Sequence, residues 1–125
     1  MKAQNFIEKR DYVCLCDREE PQEKQTVWEI GTLTLAQESY LDDHMYDENG
    51  IARFGTNIIR VLNFGLKGVR NFSVKLERNE KVGDIIKGIK PWKDECLQAI
   101  HIRERRELAT AIRGISELTE DEIKK

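Results

Sequence analysis

The side chains of this chain best suited to binding metal or moving protons at neutral pH are Cys14, Cys16, Cys96, His44 and His101. Cys14-x-Cys16 with Cys96 and one histidine would supply four zinc-type donors. The spacing argues against it, because zinc sites are built from two close pairs and here one pair stands with scattered singles. On a strand, Cys14 and Cys16 share a face, and burial as small apolar side chains explains them as well. No metal and no cofactor is expected. His44 falls on the apolar arc of a helix beside Asp43, where a core or boundary position is the expectation. A general base also needs an oriented partner and a nearby nucleophile, and the sequence offers no such motif. Asp42-Asp43 and Asp47-Glu48 flank a helix end, where carboxylates are simply solvated. The sequence carries no catalytic constellation, and the expectation is a protein that is not an enzyme.

Binding is the next possibility. His101-Ile102-Arg103-Glu104-Arg105-Arg106-Glu107 is the densest basic cluster, and phosphate recognition is its functional reading. Glutamates interleave with the arginines, which favours a charge-laced, solvated helix face. Lys67 and Arg70 form a second, smaller basic pair. Trp28 and Trp92 lie in or beside apolar segments, where core packing comes first and a partner anchor second. Trp28, Lys67, Arg70, Trp92, Arg103 and Arg106 are the candidate partner-binding residues. There is no P-loop, dinucleotide fingerprint or aromatic RNA-binding signature.

The elements that must position these residues read as follows. Tyr12–Cys16 and Thr26–Leu33 are β-prone, the second with a bulge at Gly31. Thr34 and Gln37 form a capping box that opens a helix, with Ala36, Tyr40, Leu41, His44 and Met45 on one arc. Ile51, Phe54, Ile58, Val61 and Leu62 recur at helical steps and predict a buried second helix over Ile51–Phe64, closed by Gly65. Phe64-Gly65-Leu66-Lys67-Gly68-Val69-Arg70-Asn71-Phe72 predicts a tight glycine reversal. Phe72, Val74 and Leu76 alternate with Ser73, Lys75 and Glu77, the pattern of a half-buried strand. A weak strand over Lys81–Ile86 follows a turn at Arg78-Asn79-Glu80. Pro91 can open a short helix through Trp92 and Leu97. A last helix starts near Ile102 or Arg103 with Leu108, Ala111, Ile112 and Ile115 buried, and Thr119–Glu122 repeats the capping-box pattern.

The expected fold is α+β: a small antiparallel sheet of short strands packed against about three helices. At 125 residues it is one domain, with residues 1–10 and 119–125 loosely ordered. With 39% hydrophobic and 35% charged residues it can hold a core under a densely charged surface. A net charge of -2 gives no bulk attraction to nucleic acid or anionic lipid, so neither is an expected partner. Three cysteines do not make a secreted disulfide framework, and no apolar run reaches membrane-spanning length. A cytosolic protein is the expectation.

The order of features resembles a family. Asp17-Arg18-Glu19-Glu20-Pro21 precedes the strand Thr26–Ile30; Leu33-Thr34 opens a helix; an apolar helix runs into the Phe64–Phe72 segment, where Val69 replaces an expected tryptophan. Arg105-Arg106-Glu107-Leu108-Ala109 and Ser116-Glu117-Leu118-Thr119-Glu120 close the chain. This is similar to small morphogenesis proteins of tailed bacteriophages and prophages, among them tail assembly chaperones. The resemblance implies no catalysis. It implies a holdase in the host cytoplasm that covers the apolar helices of the tape-measure protein until tube subunits polymerise. The partners would be phage structural proteins (tape measure, tail tube or head subunits) or further copies of the chain. The alternatives are a structural component of the virion (head, connector, or tail completion or decoration) and a small nucleic-acid-binding or inhibitory regulator using Arg103–Arg106.

Overall fold

A computed structural model describes residues 6–80 and 89–117. Among them it has three strands, β1 (Arg10–Tyr12), β2 (Val27–Ile30) and β3 (Leu66–Arg70), in an antiparallel sheet of order β1-β2-β3. Four α-helices accompany it: α1 (Leu35–Asp43), α2 (Phe54–Gly65), α3 (Asp94–Ala99) and α4 (Ile102–Ser116). This is the expected α+β arrangement. The predicted strand at Lys81–Ile86 and the Thr119–Glu122 capping box lie outside the described residues.

β2 is the central strand and behaves as its period-2 pattern requires. Trp28 and Ile30 are buried while Val27 and Glu29 are half-exposed. Trp28 and Ile30 share one apolar cluster with Leu41, Val61, Leu62, Phe64, Leu66, Leu108 and Ile112. The capping box forms as expected: the Gln37 N–H donates to Thr34 Oγ1 (3.2 Å) and the Thr34 N–H to Gln37 Oε1 (3.0 Å). Ile7 and Thr32 exchange hydrogen bonds, and β1 begins at Arg10. No helix among the described residues is long and apolar enough to cross a membrane.

Several expectations are corrected. The first strand is Arg10–Tyr12, not Tyr12–Cys16; beyond Tyr12 the chain folds into a 3-10 turn at Leu15–Asp17. Long-range bonds pull it out of the sheet, since Glu107 on α4 accepts from both the Tyr12 hydroxyl (2.6 Å) and the Leu15 N–H (2.9 Å). The third strand is Leu66–Arg70, and Phe72–Glu77 forms no ladder. Its alternation is real, with Phe72, Val74 and Leu76 half-buried and Ser73, Lys75 and Glu77 exposed. Burial on one side produces that pattern in any extended chain, paired or not.

The Phe64–Phe72 segment is not a glycine reversal either. Gly65 ends α2 and Leu66 begins β3 directly, and neither Gly65 nor Gly68 has a positive φ. Both glycines serve close approach. A Cβ on Gly65 would collide with Ile112 of α4, and one on Gly68 would sit 2.6 Å from Glu29 Oε1. The left-handed residue is Asn71 (φ 58), whose amide donates to the carbonyls of Glu23 (3.1 Å) and Gln25 (2.9 Å). α2 starts at Phe54 rather than Ile51, and both of those side chains are exposed. On α1, Ala36 and His44 are exposed and only Leu41 of the predicted arc is fully buried. α3 begins at Asp94, three residues after Pro91. On α4 the stripe is Leu108, Ala109, Ile112 and Ile115, with Ala111 half-buried.

Candidate functional site

The three cysteines and two histidines do not converge on one site. Cys14 is buried, Cys16 is exposed and Cys96 is buried on α3. Leaving the strand conformation is what separates Cys14 from Cys16. Cys16 lies with Asp17 and Glu104, its Sγ 3.3 Å from Glu104 Oε1. Partial desolvation and that carboxylate push its thiol up to about 11. Burial pushes the Cys14 thiol up further still. His44 terminates α1 in solvent, its Nδ1 2.8 Å from the Tyr40 carbonyl oxygen and its ring stacked on Tyr40. His101 is exposed and caps α4, its Nδ1 accepting from the Arg103 N–H at 3.1 Å. Asp47 organises a turn by accepting from the N–H groups of Asn49 and Ile51, both at 2.9 Å.

The six candidate partner-binding residues divide. Trp28 is fully buried and packs on Phe72, and Trp92 is buried with its Nε1 donating to the Leu66 carbonyl at 3.1 Å. Neither reaches a partner in this conformation; each serves the core. Arg78 lies over the Trp92 ring at 4.0 Å and donates to the carbonyls of Asn63, Leu66 and Lys90. It fastens the chain before α3 to the α2–β3 junction. Lys67 turns its Nζ back to the Phe64 carbonyl at 2.9 Å, and desolvation followed by the Arg78 charge lowers its pKa. Arg70 is exposed but paired, at 2.6 Å from Asp11 and 3.8 Å from Glu29, so it ties β3 across to β1. Only Arg103 and Arg106 stand exposed and outside any ion pair among the described residues.

Among the described residues, no glutamate of α4 forms an ion pair with its arginines. Glu107 faces Tyr12 and Leu15, and Glu104 faces Cys16. Arg105, Arg106 and Arg113 instead border the seam between α2 and α4. That seam opens into two adjoining furrows of about 480 and 380 Å³, which share Ile58 and Arg106. Met45, Phe54, Val61 and Ala109 line the first, with Asp42 as its one carboxylate; Ile59 and Ile102 line the second. Phe54 (67% exposed), Ile59 (43%) and Ile102 (47%) are three of the eight exposed bulky apolar side chains among the described residues, and these three line the one seam. Arg105 leaves its buried Nε without a hydrogen-bond partner at this edge.

Sequence reasoning missed Phe54, Ile59 and Arg113 as site residues, and held Ile102 and Arg105 only as members of the basic cluster His101–Glu107. One signal was present: the neighbours Ile58 and Ile59 cannot both face the core from one helix.

No protein-family model, curated protein or solved structure matches the chain.

Proposed function

We propose that the protein is a non-catalytic assembly factor of a tailed bacteriophage, acting as a tail assembly chaperone on the tape-measure protein. The ordered sequence resemblance supplies the family. One structural observation carries the mode of action: Phe54, Ile59 and Ile102 stand exposed along one interhelical seam. Clustered apolar surface on an otherwise highly charged small protein marks a protein-binding face. A holdase needs such a face to take up another chain's apolar helix reversibly, and its affinity for the unassembled client sets how much client stays in solution.

Co-expression with a tape-measure protein tests the reading. The expected result is a co-purifying complex and a larger soluble fraction of the tape measure; neither would defeat it. Mass spectrometry of finished particles gives a second arm. A chaperone is absent from them, whereas a stoichiometric amount would make the protein a structural subunit.

A further inference from the structure

We infer that the α2–α4 furrow takes an acidic amphipathic helix from a partner protein. This deepens the chaperone reading and rests on it only in taking the protein to act by binding another chain. Two independent features of the seam choose the occupant. Its floor is apolar: Phe54 and Ile58, one helical turn apart on α2, continue into Ile59 and Ile102. Such a floor accepts side chains at i, i+3, i+4 and i+7 of a docked helix. Its border is cationic, with Arg105, Arg106 and Arg113 against the single carboxylate of Asp42. None of the three arginines is in an ion pair among the described residues.

This local excess of positive charge stands on a chain of net charge -2. It is therefore a property of the seam and not of the whole surface. An arginine fork beside an apolar floor favours carboxylates flanking an apolar stripe and disfavours lysines in the same places. Nucleic acid fits the floor poorly, since the seam carries aliphatic side chains and one phenylalanine rather than a run of stacking aromatics.

The test uses two fluorescently labelled helical peptides of about 18 residues, long enough for five turns. Both carry leucines at the i, i+3, i+4, i+7 positions; one has glutamates at the flanking positions and the other lysines. Anisotropy titrations against the full chain should show the glutamate peptide binding at least about tenfold tighter. Arg106→Glu or, independently, Arg113→Glu should abolish that preference, and Phe54→Ser should weaken both peptides. All three side chains reach the surface, and circular dichroism confirms that each variant is folded. Equal affinity for the two peptides, or binding of neither, overturns the inference. So does a dimer in sedimentation that Phe54→Ser dissociates, because the face then belongs to a second copy of the chain.

The outcomes separate from those of the chaperone reading. A tape-measure complex that forms as well with Phe54→Ser as with the native chain overturns the furrow and leaves the chaperone standing. Selective peptide binding by a protein that ignores the tape measure does the reverse.

Discussion

Gly65→Ala is the sharpest test of how the helices are held. Alanine is ordinarily welcome in a helix, by about 1 kcal/mol over glycine, and Gly65 has no positive φ to forbid it. The obstacle is Ile112, which is fully buried on α4. A Cβ at position 65 lies 3.0 Å from both Ile112 Cδ1 and Cγ1, and closer still to Cγ2. Forcing a methyl into a packed core costs about 1–3 kcal/mol. Set against the propensity gain, the net expectation runs from about 0 to a loss of about 2 kcal/mol. Gly114→Ala is the control. Gly114 lies within α4 and nothing stands within 4 Å of its added Cβ, so the same change should stabilise by about 0.5–1 kcal/mol. Urea unfolding followed by circular dichroism measures both. A double-mutant cycle with Ile112→Ala isolates the contact. Ile112→Ala alone should cost about 2–5 kcal/mol, and the methyl at position 65 should then partly fill the cavity, giving a coupling of about 1–2 kcal/mol. A gain in stability for Gly65→Ala like that of the Gly114 control, or simple additivity in the cycle, would refute the claim that this glycine exists for close helix approach.

Four further outcomes are expected. Ser116 Oγ accepts from the Leu33 N–H (2.9 Å) and donates to the Ile112 carbonyl (2.8 Å); Ser116→Ala should cost about 1–3 kcal/mol by stranding a buried donor, read as lower stability and faster amide exchange at Leu33. Arg78→Lys removes the fork that serves three carbonyls and the Trp92 face, and should cost about 2 kcal/mol in urea unfolding. Burial and the hydrogen bond to Glu107 push the Tyr12 hydroxyl up to about 12 from an ordinary 10.0. A raised folded-state value means stability that is present below pH 10.0 and lost towards pH 12, so the stability difference between native and Tyr12→Phe proteins should be constant below pH 10.0 and change only within that alkaline window. Cys16, although exposed, should alkylate slowly at pH 8 because its thiol ionises near 11, and Glu104→Gln should speed the reaction, as read by mass spectrometry over time.

The local signals of this chain were legible, and the long-range ones were not. The Thr34–Gln37 box depends on four consecutive residues and forms as written. The alternation of Val27–Ile30 also survives, because a central strand with one buried face leaves no other register. Phe72–Glu77 has the same alternation without a partner strand; β2 pairs instead with Leu66–Arg70, which follows α2 directly. Pairing is a choice between competitors, and a period of two does not say which competitor wins. The two cysteines near the start show the same limit. Their spacing puts them on one face only in a strand, and the Glu107 bonds from 92 and 95 residues away remove the strand.

The furrow was hidden for a related reason. Phe54, Ile58 and Val61 belong to one helical stripe, so their spacing alone assigns them all to the core. What divides the stripe is where α4 crosses it. Gly65 lets Ile112 come in against the end of α2, and there Val61, Leu62 and Phe64 are buried. At the start of α2 the facing positions carry Arg105, Arg106 and Ile102, and Phe54 and Ile59 stay exposed. Charge followed the same logic. Two glutamates interleave with four arginines along α4, and Glu104 and Glu107 turn to the β1 side while Arg105 and Arg106 turn to the seam. A helix sorts neighbours in sequence onto different faces, so a segment of interleaved charges can still present an edge of one sign. The close contact at one end and the cationic, apolar opening at the other are thus two consequences of a single crossing. A change that pushes α4 off Gly65 should therefore alter peptide binding at Phe54 as well as stability: Gly65→Ala, assayed in the folded range of urea, is expected to weaken the glutamate peptide although neither Gly65 nor Ile112 lines the furrows. Unchanged peptide affinity in a measurably destabilised Gly65→Ala protein would show that the two ends of the seam are set independently.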